Sequence, residues 1–268
     1  MSAQLYSPPI TLWGTKPINR HTREELNPHI PDHLGGRAQR FPGVVRPAAD
    51  WYLPIKEIVD FVGGCVLLVL LGPVMLIAAA ATKLTSPGPA LYKQTRVGKN
   101  GEAFRIWKIR TMMHNAESST GAVWSQADDP RITRLGKFLR QTHIDEFPQL
   151  FQILSGRMSL IGPRPERPEF VQHLQWQVPR YTERLSVKPG VTGLAQMLLP
   201  PDSDTEGVRR KVQCDLYYVH HLGPWMDARI MIQTGWVFAK SIAGAALMPL
   251  QLPSTDVVQQ QMAEITDC

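Results

Sequence analysis

Phe61–Thr82 reads FVGGCVLLVLLGPVMLIAAAAT, with no charged side chain anywhere in it. Roughly 20 apolar residues are what a helix needs to cross the ~30 Å hydrocarbon core of a bilayer. This stretch commits the chain to a membrane. A single-pass anchor satisfies the length, but two features argue for another course. Pro73, preceded by Gly72, sits in the middle of the run. A proline there lacks an N–H to bond and crowds the carbonyl four residues back, so the pattern predicts a break or kink. Basic residues also stand on both flanks, Arg46 and Lys56 before the run and Lys83, Lys93, Arg96 and Lys99 after it. The bias of Lys and Arg toward the cytoplasmic side then puts both flanks on one face. A re-entrant helix that enters, bends at Gly72-Pro73 and leaves on the same side meets both conditions.

Upstream, residues 1–50 are polar and broken by Pro8, Pro9, Pro17, Pro28, Pro31, Pro42 and Pro47, which predicts a loosely ordered tail. The Met1 end shows no basic segment leading into an apolar run, so no secretory signal is expected. Over 268 residues, 29 Lys and Arg against 23 Asp and Glu leave a net charge of +6. That excess suits anionic partners such as phospholipid headgroups, nucleotide phosphates or nucleic acid, though solubility alone also accounts for it. Cys65, Cys214 and Cys268 are far apart, which suits neither a disulfide framework nor a zinc site and fits a reducing compartment.

Downstream, Ser86-Pro87-Gly88-Pro89 ends the apolar helix. Ala90–Gln94 and Ala103–Arg110 read as two strands around the turn Gly98-Lys99-Asn100-Gly101. They carry Lys93, Arg96, Arg105, Lys108 and Arg110 against the single acid Glu102. This is either a solvated face or, beside a membrane, a surface for anionic lipid and phosphorylated substrate. Residues 112–127 read as a short helix or loop with no catalytic pattern. Asp129-Pro130 then opens a basic amphipathic helix in which Arg131, Arg134, Lys137 and Arg140 interleave with Ile132, Leu135, Phe138 and Leu139, suited to lie along a membrane surface.

That helix leads into Gln141-Thr142-His143-Ile144-Asp145-Glu146-Phe147-Pro148. Asp145 fits a helix N-cap, Glu146 its first turn and Pro148 a position near the start, with Gly156 as the stop. The helix N-terminus would keep both carboxylates ionised and attract phosphate. Capping alone explains Asp145 in isolation; two acids at the end of a basic interfacial helix point further, to chemistry. Beyond Gly156, Pro163, Pro165 and Pro168 stiffen the backbone around Arg164, which is either a plain surface turn or a fixed guanidinium for phosphate. Tyr181–Leu185 reads as helical, Lys188–Gly193 as a glycine-bearing turn, Pro200–Glu206 as a mobile loop and Val208–His220 as a helix. An apolar aromatic segment, Trp225–Phe238, follows, and the chain after Pro253 is expected to be disordered.

Several of these pieces together, over about residues 56–238, resemble the bacterial sugar transferase family, the monotopic phosphoglycosyl transferases that start glycan assembly on polyprenyl phosphate. In the family's order stand the apolar helix with Pro73, Ser86–Pro89, Gln94–Gly98, Lys108–Met112, Asp129–Thr133, Asp145–Leu150, Met158–Pro165 and Lys188–Gly193. Any one of them is weak, whereas the ordered set is specific. Two departures stand out: Gly72-Pro73 where relatives often carry Ser-Pro, and Lys56-Glu57 where many carry Lys-Arg.

The resemblance implies transfer of a phosphosugar from a UDP-sugar to polyprenyl (undecaprenyl) phosphate, releasing UMP and initiating exopolysaccharide, capsule, O-antigen or glycoprotein glycan assembly. It implies that Asp145 attacks the β-phosphorus to form an aspartyl phosphosugar, a role open to a carboxylate without a deprotonating base. Glu146, with Asp145, would hold Mg²⁺. Arg164, between Pro163 and Pro165, would bind the nucleotide side and Arg140 the lipid phosphate, and Arg96, Lys108 and Arg110 would hold substrate phosphate. The expected fold is α/β, mostly helical with a small β-hairpin or sheet, in a monotopic membrane protein with interfacial amphipathic helices. The expected division is a tail at 1–50, a re-entrant helix at 51–85, a catalytic domain at 86–240 and a tail at 241–268. Membrane lipid is an expected partner and nucleic acid is not, a homodimer is allowed, and the expected location is the cytoplasmic face of a bacterial inner membrane. Two rival readings are a lipid- or nucleic-acid-binding module without chemistry and a phosphodiesterase or pyrophosphatase using the same carboxylates.

Overall fold

Helix α1, Tyr52–Thr85, is 34 residues long, about 50 Å at 1.5 Å per residue. Among the described residues of this computed structural model (49–116, 129–200, 205–243 and 253–266) it is the one helix long and apolar enough to cross a membrane. Its buried positions, Tyr52, Lys56, Asp60, Gly64, Met75, Ala78 and Thr82, recur every three or four residues or a multiple of that spacing, so they form one stripe along most of the helix. The opposite side presents bare apolar groups, among them Val69 at 77% exposed, Leu76, Ile77 and Leu84. Of the break or kink expected at Gly72-Pro73, the break is absent: helix runs through Pro73. A proline removes one hydrogen bond and leaves the neighbouring turns intact, and in apolar surroundings helical backbone has no better partner than itself.

Strands β1 (Leu91–Val97) and β2 (Ala103–Ile109) form the expected antiparallel hairpin, with Arg96 opposite Phe104 and Tyr92 opposite Lys108. Asn100 and Gly101 turn the chain in left-handed backbone, φ 56° and 83°. Strand alternation divides the hairpin's basic residues. Arg96 and Lys108 share a face with buried Phe104 and Ile106, while Lys93 lies over the Trp107 ring on the other face.

Helix α2 is Arg134–Gln141, capped by Thr133, whose Oγ1 accepts from the Gly136 amide at 2.9 Å. The start expected at Asp129-Pro130 is therefore corrected. Asp129 instead grips Arg131 through both carboxylate oxygens, while Ile132 bridges to Met112. The chain reverses at left-handed His143 into a 3₁₀ turn, Ile144–Gln149, followed by α3, Leu150–Leu154. Asp145 is thus not a cap. It is the third residue of a tight turn, His143 to Glu146, that the Glu146 amide closes on the His143 carbonyl at 3.1 Å. Gly156 ends α3 at φ 72° as expected.

Strand β3 (Ser159–Ile161) pairs in parallel with β4 (Gly190–Thr192), a sheet too short for any sequence period to reveal. Here two glycines are required by contact: a Cβ on Gly162 would stand 2.4 Å from the Lys188 carbonyl, and one on Gly190 2.1 Å from the Gly162 nitrogen. Helix α4 (Pro168–Gln177) starts on its proline; a 3₁₀ turn (Tyr181–Ser186), α5 (Leu194–Leu198), α6 (Thr205–His220) and α7 (Pro224–Ala243) complete the body. The expected disorder after Pro253 is corrected by α8, Thr255–Thr266, which packs on α6 and buries Val258 and Met262, four residues apart on one face.

The fold is mostly helical with two small sheets among the described residues. Its main core joins Phe104, Ile106, Ile153, Leu160, Tyr218 and Ile230 with Tyr52 of α1, and a second cluster seats Met75 and Ala78 of α1 on Ile109 and Leu139. Both halves of α1 therefore rest on the same body.

Candidate active site

Three elements deliver the charged centre. The 3₁₀ turn brings Asp145 and Glu146, β2 brings Lys108 from its inward face, and the turn after β3 brings Arg164. Glu146 Oε1 lies 2.7 Å from Lys108 Nζ and 2.5 Å from Arg164 Nη2, and its Oε2 lies 3.3 Å from Arg164 Nη1. Burial opposes ionisation of Glu146, but Arg164 and Lys108 outweigh it and hold the carboxyl well below its usual range. Asp145 is as buried as Glu146, at 7% exposed, and accepts no side-chain hydrogen bond among the described residues. Burial, then the neighbouring Glu146 charge, push it up to about 6 despite Lys108, Arg140 and Arg164. Adjacent carboxylates so become unlike groups, one locked as an anion and the other poised near neutrality.

Pro163 and Pro165 bring no N–H groups, so these two residues ask only for partners to their carbonyls, as does the Arg164 carbonyl between them. All three have them. Pro163 O accepts from the Gly190 amide at 3.0 Å, Arg164 O from Arg184 at 2.9 Å and Pro165 O from Arg96 at 3.1 Å. Arg184 is paired with Asp215 at 2.7 Å, both almost fully buried. Glu166 takes Lys211 at 2.8 Å; burial opposes its ionisation, yet Lys211, Arg184 and Arg96 hold it at about 2. This supporting layer was not legible in the sequence, because Lys211 meets Glu166, Arg184 meets Arg164 and Asp215 meets Arg184 only through tertiary folding, and none matches a local motif.

The expected residues thus divide. Asp145, Glu146, Lys108 and Arg164 come together directly. Arg96 secures the Arg164 turn. Arg140 donates through Nε to Thr111 Oγ1 at 2.8 Å. Arg110 is engaged by the carbonyls of Pro87 and Ser86, closing the turn after α1. All seven line one cleft of about 1220 Å³. At its charged end stand the dyad and these cations; its walls include Leu67 and Leu71 of α1 and Phe147, Met231, Val237 and Phe238. A site with these charged and apolar walls can take a phosphorylated, partly apolar reactant.

Residues 51–241 match the family model described as bacterial sugar transferase. The chain belongs to this family. It is 42% identical over 183 residues to the UDP-N-acetylgalactosamine-undecaprenyl-phosphate N-acetylgalactosaminephosphotransferase of Aeromonas hydrophila, covering 68% of this chain and 43% of that protein. To the UDP-glucose:undecaprenyl-phosphate glucose-1-phosphate transferase of Caulobacter vibrioides it is 40% identical over 181 residues, 67% of each. The exopolysaccharide production protein PSS of Rhizobium leguminosarum bv. phaseoli is 40% identical over 188 residues, 68% of this chain and 94% of that one. The chain therefore spans less than half of the Aeromonas relative and nearly all of the Rhizobium one.

Proposed function

We propose that this chain transfers a sugar 1-phosphate from a UDP-sugar to undecaprenyl phosphate, with Asp145 as nucleophile, and thereby initiates exopolysaccharide or related glycan synthesis. The observation that carries the reading is the asymmetry of the dyad. Lys108 and Arg164 engage Glu146, so Asp145 is the carboxylate left to react.

The Asp145 oxygen attacks the β-phosphorus. An Asp145–O–P bond forms, the bond from that phosphorus to the oxygen bridging the α-phosphate breaks, and UMP leaves with the electron pair. An oxygen of undecaprenyl phosphate then attacks the same phosphorus, the Asp145–phosphorus bond breaks and the carboxylate is restored. Splitting one displacement in two lets both substrates use the same charged end of the cleft. Arg164 meets the negative charge of the nucleotide diphosphate on a turn that Arg96 and Arg184 hold still, and such preorganised cations stabilise charge without reorganising. Arg140, which lines the same cleft, would meet the lipid phosphate.

Among the described residues no three of His, Cys, Asp and Glu cluster as a metal cage. Mg²⁺ commonly needs only one or two carboxylates together with substrate phosphates. The dyad fits that, with Asp145 as ligand and Glu146, already engaged by two cations, beside it. When bound, the ion supplies charge neutralisation on the diphosphate.

The same packing supports a membrane location. Both halves of α1 rest on one body while its other side is bare and apolar, which suits a helix dipping into one leaflet better than one leaving the domain to cross both. Basic flanks favour the cytoplasmic face of a bacterial inner membrane. The relatives' names carry different sugars at nearly equal identity, so the sugar is left to assay. UMP release from a panel of UDP-sugars with undecaprenyl phosphate and Mg²⁺ tests the reading. Release with at least one sugar, dependent on lipid for multiple turnovers, is expected; hydrolysis that ignores the lipid, or no release at all, overturns it.

A further inference from the structure

Among the described residues, strand β3 has a strand partner on one edge only. The Ser159 amide donates to Pro189 O and the Gly162 amide to Thr192 O, both at 2.9 Å. On the other edge, where a third strand would lie, side chains take its place. The Leu160 amide donates to Asp60 Oδ1 at 3.0 Å, and the Ile161 carbonyl lies 3.1 Å from the Tyr218 hydroxyl. Asp60 belongs to the membrane helix α1 and Tyr218 to α6. A third element closes the set: Asp227, in the first turn of α7, has the Tyr218 hydroxyl 2.8 Å from Oδ1, with Lys56 Nζ at 2.7 Å and the Tyr52 hydroxyl at 3.0 Å from Oδ2. Lys56 is also 3.8 Å from Asp60. Every one of these groups is buried. Contact here is close, since a Cβ on Gly63 would come within 2.8 Å of Leu160 Cδ1.

Burying ions carries a desolvation cost that apolar packing avoids, and the best-attested return is register. An apolar helix can slide or rotate against an apolar body at little cost. A carboxylate bonded to one particular amide cannot. Asp60 thus sets where α1 sits along β3. From β3 the chain passes through Gly162 directly into Pro163-Arg164-Pro165, and prolines with fixed φ pass on a shift of the strand rather than absorb it.

We propose that Asp60 is a positioning residue: by holding the Leu160 amide it places Arg164 against Glu146, so that the seating of the membrane helix decides the geometry of the site's phosphate-binding end. Lys56 and Asp227 hold Asp60 in turn, and Lys56 is an internal cation rather than a headgroup contact. The activity arm of the test rests on the transferase reading; the exchange arm does not.

The test uses the full-length protein in detergent micelles, with Asp60→Ala and Asp60→Asn, each alone and combined with Arg164→Ala. It measures kcat/KM for UMP release and hydrogen exchange over residues 159–165. Asp60→Ala lowers kcat/KM about 10–100-fold, the scale of a misplacement near 1 Å, and the Leu160 amide loses protection. Asp60→Asn, a weaker neutral acceptor, falls between it and wild type in both. With Arg164 already removed, Asp60→Ala lowers kcat/KM by less than about threefold more, because residues acting as one unit are not additive. Effects that simply multiply, or a folded Asp60→Ala with wild-type kcat/KM, overturn the proposal. If Asp60→Ala does not fold, Asp60→Asn decides alone: parallel loss of Leu160 protection and of kcat/KM upholds it, and any other combination overturns it. Wild-type protein that releases no UMP removes the transferase reading, and a Leu160 amide that then exchanges like an exposed loop removes the Asp60 contact as well.

Discussion

Arg164 closes on Glu146, with Nη2 2.5 Å from Oε1, and together with Lys108 it fixes the charge beside Asp145. Glu146 is held as an anion, and its fixed charge adds to burial in pushing Asp145 up to about 6. A nucleophile with that environment is ionised at pH 7 yet unhappily placed, which ties reactivity to stability.

Asp145→Asn therefore abolishes turnover and stabilises the protein. The folded-state value lies above the ordinary 3.8, so this group favours folding fully only below the unfolded value and that contribution is lost as pH rises through about 6. The burden is therefore present at pH 7 and absent below the unfolded value. Thermal melts should show the Asn variant melting several degrees higher at pH 7, with the gap closing toward pH 4. A variant less stable than wild type at both pH values contradicts the assignment.

The rate of forming the phosphosugar adduct, read by rapid quench, rises with pH through about 6 as Asp145 loses its proton. Arg164→Lys, which loosens the grip on Glu146, moves that limb upward. Rapid quenching that never traps an adduct on wild-type protein removes the covalent route.

Glu146→Ala leaves Lys108 and Arg164 without their shared anion. Breaking a fully buried pair costs about 3–5 kcal/mol; since the Arg164 side chain is 35% exposed, about 2–3 kcal/mol by urea unfolding is expected. Combining it with Lys108→Ala should cost less than the sum of the two, and full additivity would show that the three do not act as a unit.

Met262→Ala on α8 opens a cavity against α6 and should cost about 2–3 kcal/mol, although residue 262 lies beyond the family match at 51–241. Because α6 carries Lys211 and Asp215, which support Glu166 and Arg184, truncation after Pro253 should lower activity as well as the melting temperature. A truncated protein with both unchanged would make α8 an ornament.

Cysteines placed at Trp51 and at Lys99, on either side of the apolar helix, should take an impermeant label from the same side of inverted vesicles. Opposite labelling would turn α1 into an ordinary spanning helix.

From sequence alone came what depends on local chemistry: a charge-free stretch long enough for a membrane, a hairpin around Gly98–Gly101, a stop at Gly156, and an ordered set of motifs containing Asp145, Glu146 and Arg164. Those follow from solvent preference and backbone stereochemistry, which act over a few residues. Local signals misled where backbone conformation or a neighbour in space decided. Asp145 had the composition of a cap, but left-handed His143 put it inside a 3₁₀ turn; the segment after Pro253 was polar enough for disorder, but Val258 and Met262 found α6. Only tertiary structure decided which cation meets which carboxylate. Lys108, Glu146 and Arg164, like Asp60 and Leu160, are far apart along the chain, and the interaction of charges in a buried site depends on distance and desolvation, which no sequence spacing encodes.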